Sequence, residues 1–191
     1  AGVPAMLLRI SFSGELGYEI YVAPQYQLRL FEAIEEAGQD LGLRLYGSRA
    51  LMSMRLEKNW GAWTLDFRPD FTAAESGLDA FINWNKDFIG KAAALAEAKS
   101  GPVKKLVMMT IETDDIDVSN DEAIFANGEP VGYVSSGGFA HHIGTSMAFG
   151  YVPSALANDG TEVQVEILGS LCPARIVAAP LYDANGGKMR G

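Results

Sequence analysis

Cysteine occurs once and histidine twice in this chain of 191 residues, and basic residues are outnumbered by acidic ones, 15 to 24. Each scarcity excludes something. A lone Cys172 has no partner for an internal disulfide and fits a reducing compartment, read here as cytoplasmic. Next to Pro173 in a strand-like run, it reads as a small core hydrophobe and not as a nucleophile. His141 and His142 are adjacent, so a strand would send them to opposite faces, and no cysteine lies nearby; no metal site is expected. The net charge of −9 argues against a nucleic-acid surface or an anionic membrane as the main partner. No apolar run approaches the roughly 20 residues of a spanning helix. The opening Ala1-Gly2-Val3-Pro4 has no methionine and no charged-then-apolar leader, and strand signals begin almost at once. That start reads as a fragment of a longer protein.

What is present centres on residues 6–22. Met6, Leu8, Ile10 and Phe12 alternate with Leu7, Arg9 and Ser11, the two-residue period of a strand. Tyr18, Ile20 and Val22 then point one way while Glu19 and Tyr21 point the other. Between them, Ser13-Gly14-Glu15-Leu16-Gly17 predicts a tight turn, with glycine supplying positive φ. The pattern is a hairpin that fixes Glu19 beside an aromatic ring. On a rigid strand, a carboxylate can accept two parallel hydrogen bonds from a planar N–H/NH2 edge such as that of a pterin or a guanidine. Periodicity by itself favours the plainer reading, Glu19 as a solvated residue on the polar face of an edge strand.

Further along, Pro24 opens a helix whose stripe is Leu28, Leu30, Phe31 and Ile34, ended by Gly38 or Gly42. Leu43 to Tyr46 reads as a short strand, and Ser48 caps a helix over Arg49 to Lys58. A loop from Trp60 to Thr72 carries Trp60, Trp63, Phe67 and Phe71, rings that either cover a flat ligand or pack the loop onto its own domain. Thr72 and Glu75 have capping-box spacing and predict a short helix, and Asp87 is the expected cap of a helix over Ala92 to Lys99. Ser100-Gly101-Pro102 is the domain boundary. Beyond it come strands at Val103 to Glu112, Ala123 to Ala126 and Val131 to Ser135, the latter two joined by Asn127-Gly128. The strands Ser146 to Val152, Glu162 to Leu168 and Cys172 to Ala178 complete an antiparallel barrel. The aspartates at 114, 115, 117 and 121 lack the glycine and terminal glutamate of an EF-hand and read as a solvated loop.

Ser13-Gly14-Glu15-Leu16-Gly17-Tyr18-Glu19-Ile20 resembles the signature of the folate-binding aminomethyltransferases, the glycine cleavage T-protein family, which includes the C-terminal regions of dimethylglycine and sarcosine dehydrogenases. Met54-Arg55-Leu56-Glu57-Lys58 and Asp87-Phe88-Ile89-Gly90-Lys91 are similar to further motifs of that family, and Lys58 with Trp60 and Trp63 looks like the dehydrogenase branch. Gly150-Tyr151-Val152-Pro153 and Pro180-Leu181-Tyr182-Asp183 resemble its C-terminal barrel.

The resemblance implies an α+β fold: residues 1–99 form the rear part of the folate-binding domain, and residues 103–191 the small antiparallel β-barrel. It implies tetrahydrofolate as cofactor, held at Glu19 with Tyr18, Phe12 and Arg55, and FAD only if a flavin domain precedes this stretch. The implied activity is one-carbon transfer to tetrahydrofolate from an N-methylated amine such as dimethylglycine or sarcosine, or from a glycine-derived aminomethyl group. The implied partners are that small-molecule substrate and the missing N-terminal half or flavin domain of the same chain. Folate-dependent O- or S-demethylation and a non-catalytic assembly module are the alternatives. No catalytic residue is assigned within the chain, because the family's key aspartate belongs to the front half. Two positions depart from the pattern: Leu51 replaces a folate-contacting arginine, and Phe12 a frequent tyrosine.

Overall fold

The structure, a computed structural model, describes residues 2–178 and 180–191. Ala1, at the start of the expected first unit, and Ala179, within the expected second, lie outside the described residues.

The expected hairpin forms, but with shorter strands and a longer connection. β1 (Met6–Leu8) pairs antiparallel with β2 (Glu19–Tyr21), Met6 opposite Tyr21 and Leu8 opposite Glu19. Residues 9–18 are a folded-back loop instead of strand and tight turn. Gly17 packs so closely that a Cβ there would lie 2.8 Å from the Ile10 carbonyl, and the Gly14 amide donates to Ser11 Oγ at 3.1 Å. Gly14 sits at φ +82° with the Lys58 side chain 2.8 Å from where its Cβ would be. A left-handed backbone in contact with a neighbour admits only glycine at low cost.

After a 3-10 turn over Pro24–Tyr26, α1 (Gln27–Gly38) carries the expected stripe, and Gly42 at φ +73° ends the following turn. The stripe is not buried: Leu28 is 69%, Phe31 44% and Ile34 40% exposed. Leu43 to Tyr46 is not a strand, because no strand lies alongside to take its hydrogen bonds; Leu43 instead donates back to Gly38. α2 (Ser48–Glu57) begins one residue earlier than expected, with Gly47 and not Ser48 at the cap. Its last turn, Arg55, Leu56 and Glu57, is buried, and α2 packs on the barrel.

Both capping-box bonds between Thr72 and Glu75 form, each at 3.1 Å, yet they close a turn and not a helix. The Glu75 carbonyl is taken by the Leu106 amide at 2.7 Å, which ties the turn to the barrel. Asp87 caps nothing; Gly90, at φ +88°, is the residue before α3 (Lys91–Ser100).

The remaining strands are β3 (Lys104–Ile111), β4 (Ala123–Ala126), β5 (Glu129–Ala140), β6 (Thr145–Pro153), β7 (Glu162–Ile167) and β8 (Ser170–Val177). They close into an antiparallel barrel in the order β3-β6-β5-β4-β7-β8. Two-residue turns with both residues at positive φ, Asn127-Gly128 and Leu168-Gly169, match the right-handed strand twist. Strand alternation divides the apolar residues in two. Val107, Met109, Ile111, Ile124, Val134, Val165 and Ile176 fill the interior, while Met108, Met147 and Phe149 form a second cluster with Leu56 of α2. That second cluster fixes α2 against the barrel wall. A terminal turn, α4 (Gly187–Arg190), follows. No helix among the described residues is long and apolar enough to cross a membrane.

Candidate functional site

On the hairpin, the Tyr21 hydroxyl donates to Glu19 Oε2 at 2.5 Å. The bond and the neighbouring negative charge push the Tyr21 phenol above its ordinary range. The bond holds the Glu19 carboxyl through Oε2, and among the described residues no donor reaches Oε1. Phe12 and Glu19 are half-buried and Tyr18 is exposed, so three of the four expected folate contacts share this hairpin.

Arg55 differs. It is 2% exposed and its guanidinium is committed inside the protein. Nη1 donates to Asp66 Oδ2 at 2.7 Å and to the Trp60 carbonyl at 3.1 Å, and the Phe149 ring lies 5.5 Å away. Burial lowers its pKa, and Asp66 opposes that shift. Asp66, which the sequence reading did not single out, also accepts from the Ala62 amide at 2.7 Å and from the hydroxyls of Ser135 and Ser136 at 2.5 and 2.7 Å. The backbone carbonyl of Asp66 accepts from Tyr151, whose hydroxyl also meets Ser76 at 2.9 Å. This buried knot joins α2, the aromatic loop and β5.

The loop between β1 and β2 contributes to the lining of two cavities. Ser11 lines one of about 690 Å³, walled by Trp60, Trp63, Phe67, Phe81 and Phe149. Of the loop's rings, Phe71 packs on the barrel, stacked on Tyr151 at 3.4 Å, whereas Trp63 is 75% exposed. Ser13 and Glu15 line the other cavity, of about 380 Å³, together with Ser53, Glu57, His142 and Tyr182. The C-terminal segment closes its edge. Lys58 Nζ donates to the Asp183 carbonyl at 2.5 Å and to its carboxylate at 2.8 Å, and holds the Asp183 carboxyl below its usual range. Tyr182 donates to Glu15, Lys188 donates to the Tyr182 hydroxyl at 2.8 Å, and the His142 ring stands edge-on to Tyr182 at 4.3 Å. Glu57 and Tyr182 lie inside the quoted motifs, which is the one sequence signal that pointed at them.

The family model described as the GCVT N-terminal domain matches residues 1–86, and the one described as the glycine cleavage T-protein C-terminal barrel domain matches residues 104–183. The chain is 40% identical over 183 residues to mitochondrial dimethylglycine dehydrogenase of Homo sapiens, covering 95% of this chain and 21% of that protein. It is 32% identical over 186 residues to an aminomethyltransferase of Desulfitobacterium hafniense, covering 97% of this chain and 51% of the relative. It thus spans about a fifth to a half of the length of these relatives. The solved glycine cleavage system aminomethyltransferase T of Bartonella henselae superimposes with a TM-score of 0.83 at 28% identity, over 93% of this chain and 50% of that one. The fold of this chain is therefore a GCVT N-terminal-type unit followed by the T-protein barrel, and the chain belongs to the glycine cleavage T-protein family, whose relatives here, an aminomethyltransferase and a dimethylglycine dehydrogenase, are enzymes.

Proposed function

We propose that this chain is the folate-side part of an enzyme that transfers a one-carbon unit to tetrahydrofolate from an N-methylated amine such as dimethylglycine or sarcosine, or from a glycine-derived aminomethyl group. The observation that carries the reading is the Glu19 carboxyl, held on β2 by the Tyr21 hydroxyl, with no donor among the described residues at its other oxygen. Such an acceptor suits the N–H/NH2 edge of a pterin. Tetrahydrofolate, when bound, supplies the amine nitrogens that take up the carbon. Glu19 orients the ring, Tyr18 and Phe12 flank it, and Arg55 acts from inside by fixing α2 through Asp66. Orientation is the protein's main contribution in such a transfer.

Residues 1–99 are the rear of the folate unit and residues 103–191 the barrel, with α3 ending at Ser100 and β3 beginning at Lys104. The proposal places the front half of the folate domain in the parent chain, and a flavin domain with FAD ahead of it if the parent is of the dehydrogenase type. Dimethylglycine dehydrogenase of the human relative is mitochondrial. The single half-buried Cys172 supports a reducing compartment for this chain, the cytoplasm in our reading.

Titrating tetrahydrofolate into the full-length parent by calorimetry tests the proposal. Saturable binding is expected, weakened in Glu19→Gln by roughly 1.5–3 kcal/mol, the range for a hydrogen bond to a charged group. A second reading, a non-catalytic assembly module, is favoured by Leu51 and Phe12 standing where relatives carry arginine and tyrosine. It predicts no saturable binding by the unmutated parent.

A further inference from the structure

The loop between β1 and β2 carries Phe12 and leads into Tyr18 and Glu19, yet residues 9–18 belong to no strand. Chain far along the sequence holds them instead. Arg9 donates to the Arg190 carbonyl at 2.6 Å. Gly14 rests on the Lys58 stem, and the Lys58 ammonium is taken by the Asp183 carboxylate at 2.8 Å. Glu15 accepts from the Tyr182 hydroxyl, the one hydrogen bond its side chain makes among the described residues. Two of these three tethers end directly on residues 182–190, and the third reaches them through Lys58.

Tyr182 is the most constrained of the anchors. Its ring is buried and stands edge-on to His142, in the turn after β5, at 4.3 Å. Its amide donates to the Glu57 carbonyl of α2 at 3.4 Å. These contacts fix where the hydroxyl points. The direction of its bonds follows from what each partner can do. An ammonium has donors and no acceptor, so the hydroxyl oxygen accepts from Lys188 at 2.8 Å, and its single hydrogen goes to Glu15. A hydroxyl held by its ring and polarised by an ammonium is a strong donor to a carboxylate. We propose that Tyr182 is a positioning residue for the folate ring: acting through Glu15, it sets the loop that carries Phe12 and delivers Tyr18 and Glu19, and residues 182–190 serve as a strap across that loop. The inference rests on the one-carbon reading for the identity of the ligand, and adds to it a residue that acts on the site without touching the ligand.

Two single variants of the full-length parent test it from opposite ends of the bond. Tyr182→Phe keeps the ring and removes the hydroxyl. Glu15→Ala removes the acceptor and leaves the strap in place. Each should weaken tetrahydrofolate binding about tenfold in calorimetry, the scale of one hydrogen bond to a charged group. The double variant should lose no more than either single, because both remove the same bond. Glu15→Gln, which keeps an oxygen for the Tyr182 hydroxyl, should recover most of the affinity. Without ligand, the amides of Gly14 and Glu15 should exchange hydrogen faster in both single variants. Unchanged exchange there would overturn the inference whatever becomes of folate. A contact that only stabilises the fold would lower the denaturation midpoint and leave the affinity of the folded protein unchanged, which would overturn it too, as would losses that multiply in the double variant. No saturable binding by the unmutated parent would overturn the one-carbon reading and this inference with it. Normal binding there, with both single variants unchanged, would overturn the inference alone.

Discussion

Asp66 shows what one buried residue can organise. Its carboxylate accepts from Arg55, Ala62, Ser135 and Ser136, partners drawn from α2, the aromatic loop and β5. Removing it leaves a 2%-exposed guanidinium without its counter-charge. Asp66→Ala is therefore expected to cost about 3–5 kcal/mol in urea unfolding of the full-length parent, the scale for breaking one side of a buried pair. Asp183 gives a pH prediction. Lys58 lowers its folded-state pKa, so the bond contributes stability above the unfolded value and loses it as pH falls from roughly 4 through the lower folded value. The amides of Gly187 and Lys188, which donate to the Asp183 carboxylate, should shift in that acid window by NMR, and Lys58→Met should move the step to higher pH. At this scale the sequence was half legible. Glu19 stood out because a strand pattern and a motif coincide on it. Arg55 was read as a ligand contact because the segment Met54 to Lys58 resembles a family motif, whereas its partner Asp66 is joined by residues up to 70 positions away and no local pattern announces it.

Among the elements, legibility follows how locally each one is determined. The barrel strands were readable because alternation and the Asn127-Gly128 turn are local signals. The strand expected at Leu43 to Tyr46 failed because a strand needs a neighbour, and short apolar runs carry no record of one. The hairpin was readable but its loop was not. The loop's shape comes from contacts with distant chain: Arg9 donates to the Arg190 carbonyl at 2.6 Å, and Gly14 rests on Lys58. Gly14→Ala should then act at a distance. It places a side chain in the left-handed region, about 1–2 kcal/mol by itself, and pushes on Lys58, whose ammonium holds Asp183. The expected readout is a lower melting temperature together with faster hydrogen exchange at Gly187 and Lys188. Unchanged exchange there would mean that the loop and the C-terminal segment are not coupled through Lys58.

Taken whole, the molecule is unevenly finished. The barrel buries its inward-facing apolar residues, and Met109, Ile124, Val134 and Val165 have no exposure. The first unit does the reverse: Met6 is 54%, Leu7 59%, Leu28 69% and Leu45 69% exposed. The periodicity of α1 announced an apolar face correctly, and what the sequence of this chain could not say is what covers it. Scattered exposed apolar residues are ordinary, but apolar residues exposed in a row along one helix stripe are the kind of patch that marks an interface. Relatives extend well beyond the matched region, which leaves ample chain in the parent to supply a cover. The 191-residue chain by itself should therefore bind a hydrophobic dye and self-associate in sedimentation velocity, and the full-length parent should do neither. Leu28→Lys with Phe31→Glu should relieve self-association of the isolated chain, because both side chains stand on the uncovered stripe and neither belongs to a buried cluster. The same pair in the parent should destabilise it, since there the stripe would be buried against that cover. If the pair is neutral in the parent, the stripe faces solvent in the whole protein, and the front half of the folate unit does not pack on α1.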